Sequence, residues 1–321
     1  MRCPFKLKTD LISQKQLFMN IPFKIKEFPG ILVKTYKRWM ANEPFQLSAA
    51  VSYYALFSFP ALLIIVIQTV GIFYDKNMVK GKIIDEIGMV LGKDSAETIE
   101  NLIKNALIED QNTFALIVGL GTLLYGATGM FVSLQKALNT IWEVEPDPKA
   151  GILKLLKDRL FSLSLILVIG FLLLISLVIT ALISAIEGWI DANFPDIMLG
   201  IIHLINFVIS LAIITILFGM IFKILPDVTI KWKHVWLGAF VTSLLFSIGK
   251  FGLGIYFGAA SPESAFGAAG SIVLILLWVS YSSLILFFGA EFTKVFTDKA
   301  NEKVIPLAHA KLKTKKNEAD C

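Results

Sequence analysis

Six mostly apolar stretches govern what this chain can fold into: residues 48–74, 114–141, 160–187, 197–224, 235–257 and 267–296. A helix rises about 1.5 Å per residue, so about 20 such residues cross about 30 Å of hydrocarbon. Each stretch meets that length. Composition supports the same conclusion, with 56% of the 321 residues hydrophobic and only 17% charged. A soluble domain carries about a quarter charged residues, and the deficit here cannot be hidden in one aqueous core. The mean hydropathy is +0.72. The expected fold is an all-α polytopic membrane protein, with six transmembrane helices and amphipathic interfacial helices beside them.

The formal charge of +5 does not read as a nucleic-acid surface, because the basic residues stand at the ends of the apolar runs. Before the first run come Arg2, Lys6, Lys8, Lys15, Lys24, Lys26, Lys34, Lys37 and Arg38. The second connection has Lys149, Lys154, Lys157 and Arg159, the fourth has Lys231 and Lys233, and the tail is lysine-rich. The third connection offers Asp191 and Asp196, and the fifth only Glu263. Positive charge stays inside. This alternation predicts a cell (inner) membrane protein with both termini cytoplasmic. Cys3 and Cys321 lie at opposite ends, so neither a disulfide nor a thiolate metal site is expected. No cleavable signal sequence is visible, since the first long apolar run starts only near Ser48.

Three domains follow. Residues 1–44 form a basic cytoplasmic segment, 45–297 the membrane domain, and 298–321 a basic tail expected to be disordered. Within 29–41, Ile31, Leu32, Trp39 and Met40 alternate with Lys34, Lys37 and Arg38. That pattern reads as an amphipathic helix on the inner surface, or as a short helix packed on the bundle. The first outer connection, about 75–112, carries two apolar sets at helical spacing, with Asp94 and Glu97 resembling a helix start. It is expected to form an amphipathic cap.

Ionisable groups at membrane depth are costly and usually face a bundle interior or a wet cavity. Lys250 is the clearest, on a stripe with Ser243, Ser247 and Gly254. Gln68, His203 and Asn206 fall at similar depth, and Glu187 closes the third run on that side. Converging, they would line an outward cavity in which Lys250 holds an anionic group. The competing expectation is a snorkelling lysine and scattered interhelical hydrogen bonds. A second, inner cluster comprises Gln135, Lys136, Asn139 and Glu291, with Lys136–Glu291 a candidate ion pair. Pro60 stands in mid-helix as a candidate hinge.

Catalysis finds no support in the residues. His203, His234 and His309 sit at unrelated positions, there is no phosphate-binding loop, and Gly252, Gly254 and Gly258 follow no strand. No cofactor or metal, and no nucleic-acid partner, is expected.

Several segments together resemble the YihY/virulence factor BrkB family, historically also labelled ribonuclease BN-like. They are the run Ala49-Ala50-Val51-Ser52-Tyr53-Tyr54-Ala55-Leu56-Phe57-Ser58-Phe59-Pro60, and Gly126-Ala127-Thr128 leading to Ala137-Leu138-Asn139-Thr140-Ile141-Trp142. Then come Leu225-Pro226-Asp227-Val228, Trp232 with Gly238-Ala239, Phe266-Gly267-Ala268-Ala269-Gly270, Leu277-Trp278 and Gly289-Ala290-Glu291. Ser52, Leu253 and Phe266 stand where the family pattern favours Ala, Phe and Tyr. The resemblance covers roughly residues 30–300 and implies a six-helix inner-membrane protein, with Lys250 and Glu291 at positions the pattern fills this way. Members are discussed as transporters, including of lipids. With Lys250 and its polar neighbours, the Pro60 kink and the outer amphipathic cap, the functional expectation is a transporter or lipid-translocating protein for an anionic or amphipathic solute, without its own ATPase. The alternative is a scaffold that recruits anionic lipids or partners. A membrane-associated ribonuclease is the remote third, resting on the label alone.

Overall fold

The computed structural model describes residues 27–71, 75–91, 96–97, 100, 113–146, 196–260, 270–300, 302, 304–307 and 310–313. Helix α1 spans Phe28–Ala41, α2 Pro44–Val70, α3 Lys76–Leu91 and α4 Thr113–Ile141. Strand β1 (Val144–Pro146) follows, then α5 (Asp196–Ile224), β2 (Val228–Thr229), α6 (Trp232–Ala260), α7 (Gly270–Lys299), β3 (Ile305–Pro306) and β4 (Ala310–Leu312). Helices α2, α4, α5, α6 and α7 coincide with five of the six expected spans. The third run, 160–187, lies outside the described residues. Among those described, three windows are long and apolar enough to cross a membrane: Phe207–Ile224, Trp232–Tyr256 and Ile272–Lys299.

Local chemistry sets the helix ends. Pro29 sits in the first turn of α1 and Pro44 opens α2, where a missing N–H costs nothing. Asp75 caps α3, its Oδ1 accepting from the N–H groups of Asn77 (2.9 Å) and Met78 (3.0 Å). Asp94, the expected cap residue, lies outside the described residues. Helix α2 runs unbroken through Pro60. Pro226 follows closely on α5, where a proline disfavours helix in the residue before it.

The bundle closes around α7, which touches α1, α2, α3, α4 and α6, while α2 lies along α4 and α5 along α6. Antiparallel α6 and α7 cross through reciprocal small residues. A Cβ on Gly238 would strike Thr293 Oγ1, and one on Gly289 would strike Thr242 Oγ1. Close backbone approach of this kind substitutes for the hydrophobic drive that lipid does not supply. Gly126 is pressed the same way against Phe57 and Ser58 of α2. The main core gathers Val51, Leu138, Trp142, Phe222, Val235 and Phe287. A smaller one places Ile31 of α1 against Phe292, Val295 and Phe296 of α7.

Helix α1 therefore packs on the bundle through Ile31 and Thr35, both buried. The described part of the tail, residues 304–307 and 310–313, folds back where disorder was expected: β3 pairs with β2 (Val228↔Pro306, Thr229↔Ile305) and β4 with β1 (Val144↔Leu312, Pro146↔Ala310). Backbone bonds from Leu307 N to Asp227 O (3.0 Å) and Lys313 N to Glu143 O (2.8 Å) extend the strap. These contacts were invisible as periodicity because each strand has only two or three residues.

Candidate functional site

Among the described residues, charge buried in apolar helices gathers at the end of the bundle that carries α1 and the strap. Glu291 of α7 is fully buried, at 0% exposure. Asn42, in the turn after α1, donates its side-chain amide to Glu291 Oε1. The Arg38 guanidinium reaches the same carboxylate, Nε lying 3.4 Å from Oε2. Arg38 also donates to Glu143 Oε1 (2.8 Å) and Asp298 Oδ2 (3.0 Å), and Lys294 Nζ lies 2.8 Å from Glu143 Oε1. Two cations thus face three carboxylates, drawn from α1, the end of α4, and α7.

The depth of this cluster follows from the α6–α7 crossing. Thr293 meets Gly238 and Gly289 meets Thr242, so Glu291 stands level with residue 240 of α6. Trp232 and Trp236 are exposed and stacked at 5.8 Å near the start of α6, as aromatic side chains stand at headgroup depth. Glu291 is four residues past Trp236, about 6 Å deeper at 1.5 Å per residue. A carboxylate there is expensive unless a cation meets it, and Arg38 is delivered by a helix outside the spans.

The backbone bends to hold this arrangement. Glu43 and Glu143 adopt positive φ angles of 49° and 56°, unusual for residues with side chains. Glu143 ends α4 in the left-handed conformation that glycine usually supplies. In exchange it presents the carboxylate that receives Arg38 and Lys294.

The expected inner cluster separates into two. Gln135 and Asn139 donate to Asp227 (3.2 and 2.8 Å), whose own N–H donates back to Asn139 Oδ1 at 2.8 Å. Glu291 belongs to the other group, and its ion partner is Arg38 and not Lys136. Lys136 is exposed, and its carbonyl accepts from Thr140. Arg38, Asn42, Glu143, Asp227 and Lys294 were not singled out as site residues by the sequence reading. Lys294, three residues beyond Glu291 in the same apolar run, was the available signal.

Of the expected outer cavity, Ser243 is buried and bonded to Thr215 of α5 (Oγ–Oγ1 2.8 Å), and Ser247 donates to its own helix at Ser243 O (2.8 Å). Lys250 is exposed, flanked by exposed Ile248 and Phe251. Among the described residues, Ser243 and Ser247 have spent their hydroxyls on helix packing and back-bonding. Gln68, His203 and Asn206 lie on described helices, but their side chains, and the whole of Glu187, lie outside what is described. Among the described residues no three His, Cys, Asp or Glu side chains are arranged to hold a metal.

The model of a family described as virulence factor BrkB matches residues 35–313. The chain belongs to this family. Relatives called UPF0761 membrane proteins accompany it. One from Tolumonas auensis is 29% identical over 181 residues, 55% of this chain and 56% of that protein. One from Rhodospirillum centenum is 25% identical over 287 residues, 86% of this chain and 60% of that protein. A third, from Alteromonas mediterranea, is 23% identical over 286 residues and is covered to 92% of its length. The first relatives are thus matched over little more than half their length. No solved structure matches the chain. As a BrkB-family member it is an integral membrane protein, and the Arg38–Glu291 cluster lies inside the matched region.

Proposed function

We propose that this BrkB-family protein is a six-span inner-membrane translocator, termini cytoplasmic, for an anionic or amphipathic solute, lipids included, without an ATPase of its own. The observation that carries the reading is the fully buried Glu291, in a helix long and apolar enough to cross a membrane, met by Arg38 of the peripheral helix α1. An intramembrane carboxylate neutralised by a cation from a separate element can be uncovered by moving that element, and so suits a gate. Opening α1 would free Arg38 to meet an anionic group entering from this end. Lys250, with Gln68, Glu187, His203 and Asn206, would serve the opposite half of the path.

Flux in proteoliposomes tests this. Wild-type protein should move a fluorescent anionic lipid or an anionic dye across the bilayer, and Glu291→Gln should change the rate about tenfold or more, the effect of about 1.4 kcal/mol. Wild-type vesicles that pass neither probe faster than protein-free ones refute the proposal.

A scaffold role has one observation in its favour. Helix α1 exposes Val33, Tyr36 and Met40 as a stripe beside Lys34 and Lys37, on the side away from Ile31 and Thr35. That arrangement fits a helix resting in anionic headgroups. This reading predicts that changing the stripe alters a cellular phenotype more than Glu291→Gln does.

A further inference from the structure

Three basic side chains at the start of α6 close on one carboxylate of the chain's own tail. Lys231 Nζ lies 3.1 Å and Lys233 Nζ 2.5 Å from Glu302 Oε1, and His234 Nε2 lies 3.0 Å from Oε2. His234 is only 3% exposed, and neither ring nitrogen makes a complete hydrogen bond among the described residues. Lys231 and Lys233 stay largely exposed. The start of α6 adds the positive end of its dipole.

The carboxylate is a poor match to this surround. Two lysines crowd one oxygen, and their two charges alone already exceed the single negative charge. Burial alone would raise the Glu302 carboxyl, yet hydrogen bonds from Lys233 and Lys231 and the charge of His234 hold it down to about 2. A phosphate monoester carries three terminal oxygens and close to two negative charges, giving each of the three donors its own acceptor. The site also sits at the right level. Trp232 and Trp236, exposed and stacked, mark headgroup depth, and Lys223 Nζ stands 5.7 Å from the Trp232 ring.

The geometry points to Lys231, Lys233 and His234 as a phosphomonoester-binding site that Glu302 of the tail occupies as an internal plug. Binding and strap closure are then mutually exclusive. An entering phosphate expels Glu302 and strains the β2–β3 pair, which rests on two residue pairs, and the neighbouring bond from Leu307 to Asp227. The site is separate from the Arg38–Glu291 cluster and does not depend on the translocation reading.

Hydrogen exchange of the full-length protein in phosphatidylcholine nanodiscs tests it, with phosphatidic acid in the disc or inorganic phosphate in solution as probes. Phosphatidic acid should speed exchange over residues 302–312 about tenfold, the change expected when a competitor of comparable strength displaces a tethered group. Glu302→Gln should show that fast exchange without any probe, and should retain about tenfold more isotope-labelled phosphatidic acid than wild type. The double variant Lys231→Gln/Lys233→Gln should retain none above background, with exchange in α7 unchanged as proof that it folds. A response to inorganic phosphate equal to that of phosphatidic acid supports the site with a soluble phosphate as its occupant. If neither probe alters exchange in wild type, and Glu302→Gln retains no extra lipid, the inference is overturned.

Discussion

Removing Arg38 should cost more than removing both members of its pair with Glu291. Arg38→Leu leaves the Glu291 carboxylate at 0% exposure with Asn42 as its remaining described hydrogen-bond partner. Breaking a buried ion pair from one side costs about 3–5 kcal/mol. The Arg38 side chain is 25% exposed, so water screens part of the interaction and about 2–3 kcal/mol is the fitting figure. Glu291→Leu is milder, about 1 kcal/mol, because Arg38 keeps Glu143 and Asp298. In the double variant no charge is stranded at position 291, so its cost should stay at about 1 kcal/mol, a coupling of about 2–3 kcal/mol. Denaturant titration of the four proteins in mixed micelles measures this cycle. Additive effects, with coupling below about 0.5 kcal/mol, would refute the claim that the two side chains neutralise each other.

The α6–α7 crossing should reject bulk: Gly238→Val must displace Thr293, at a cost of about 1–3 kcal/mol or a failure to fold, read by yield and melting. Gly252→Val on the same helix, where a Cβ meets nothing, should cost less than half as much. Glu143→Gly should relieve the backbone cost of a φ of 56°, about 1 kcal/mol, yet lose the contacts to Arg38 and Lys294. The same change at Glu43, which has only the backbone cost to relieve among its described contacts, should stabilise, and melting curves compare the two. The strap should loosen in acid. The folded Glu302 carboxyl is depressed to about 2, so its contribution is complete above the unfolded value of about 4.3 and fades as pH falls toward about 2. With Lys231 and Lys233 largely exposed, the loss should be about 1 kcal/mol, seen as faster exchange over 302–312 after correction for intrinsic rates.

Helix positions were legible in the sequence because an uninterrupted apolar run has few alternatives in lipid. Asp196–Ile224 and Trp232–Ala260 emerged within a few residues of expectation. Glu291 was legible too, as an acid inside such a run. Its partner was not. Arg38 lies 253 positions earlier in a segment already rich in lysine and arginine, and nothing local marks which cation turns inward. The polar stripe of Ser243 and Ser247 was ambiguous for the opposite reason. Serine hydroxyls can satisfy themselves on the preceding helical turn, so their spacing carries little information about a cavity. The strap escaped notice because its hold comes from short strands and from Glu302, whose partners lie about seventy positions away.

Thiol accessibility at position 291 shows whether α1 closes a gate over Glu291. Glu291→Cys would be made with Cys3→Ser and Cys321→Ser, in membranes exposing the α1 end, and treated with a membrane-impermeant maleimide. If the gate is closed, almost no labelling is expected with Arg38 and α1 intact. Labelling should be about tenfold faster once Ile31→Asp unseats α1 from Phe292 and Phe296. Equal rates in both proteins, while a cysteine at exposed Lys136 reacts normally, would contradict it.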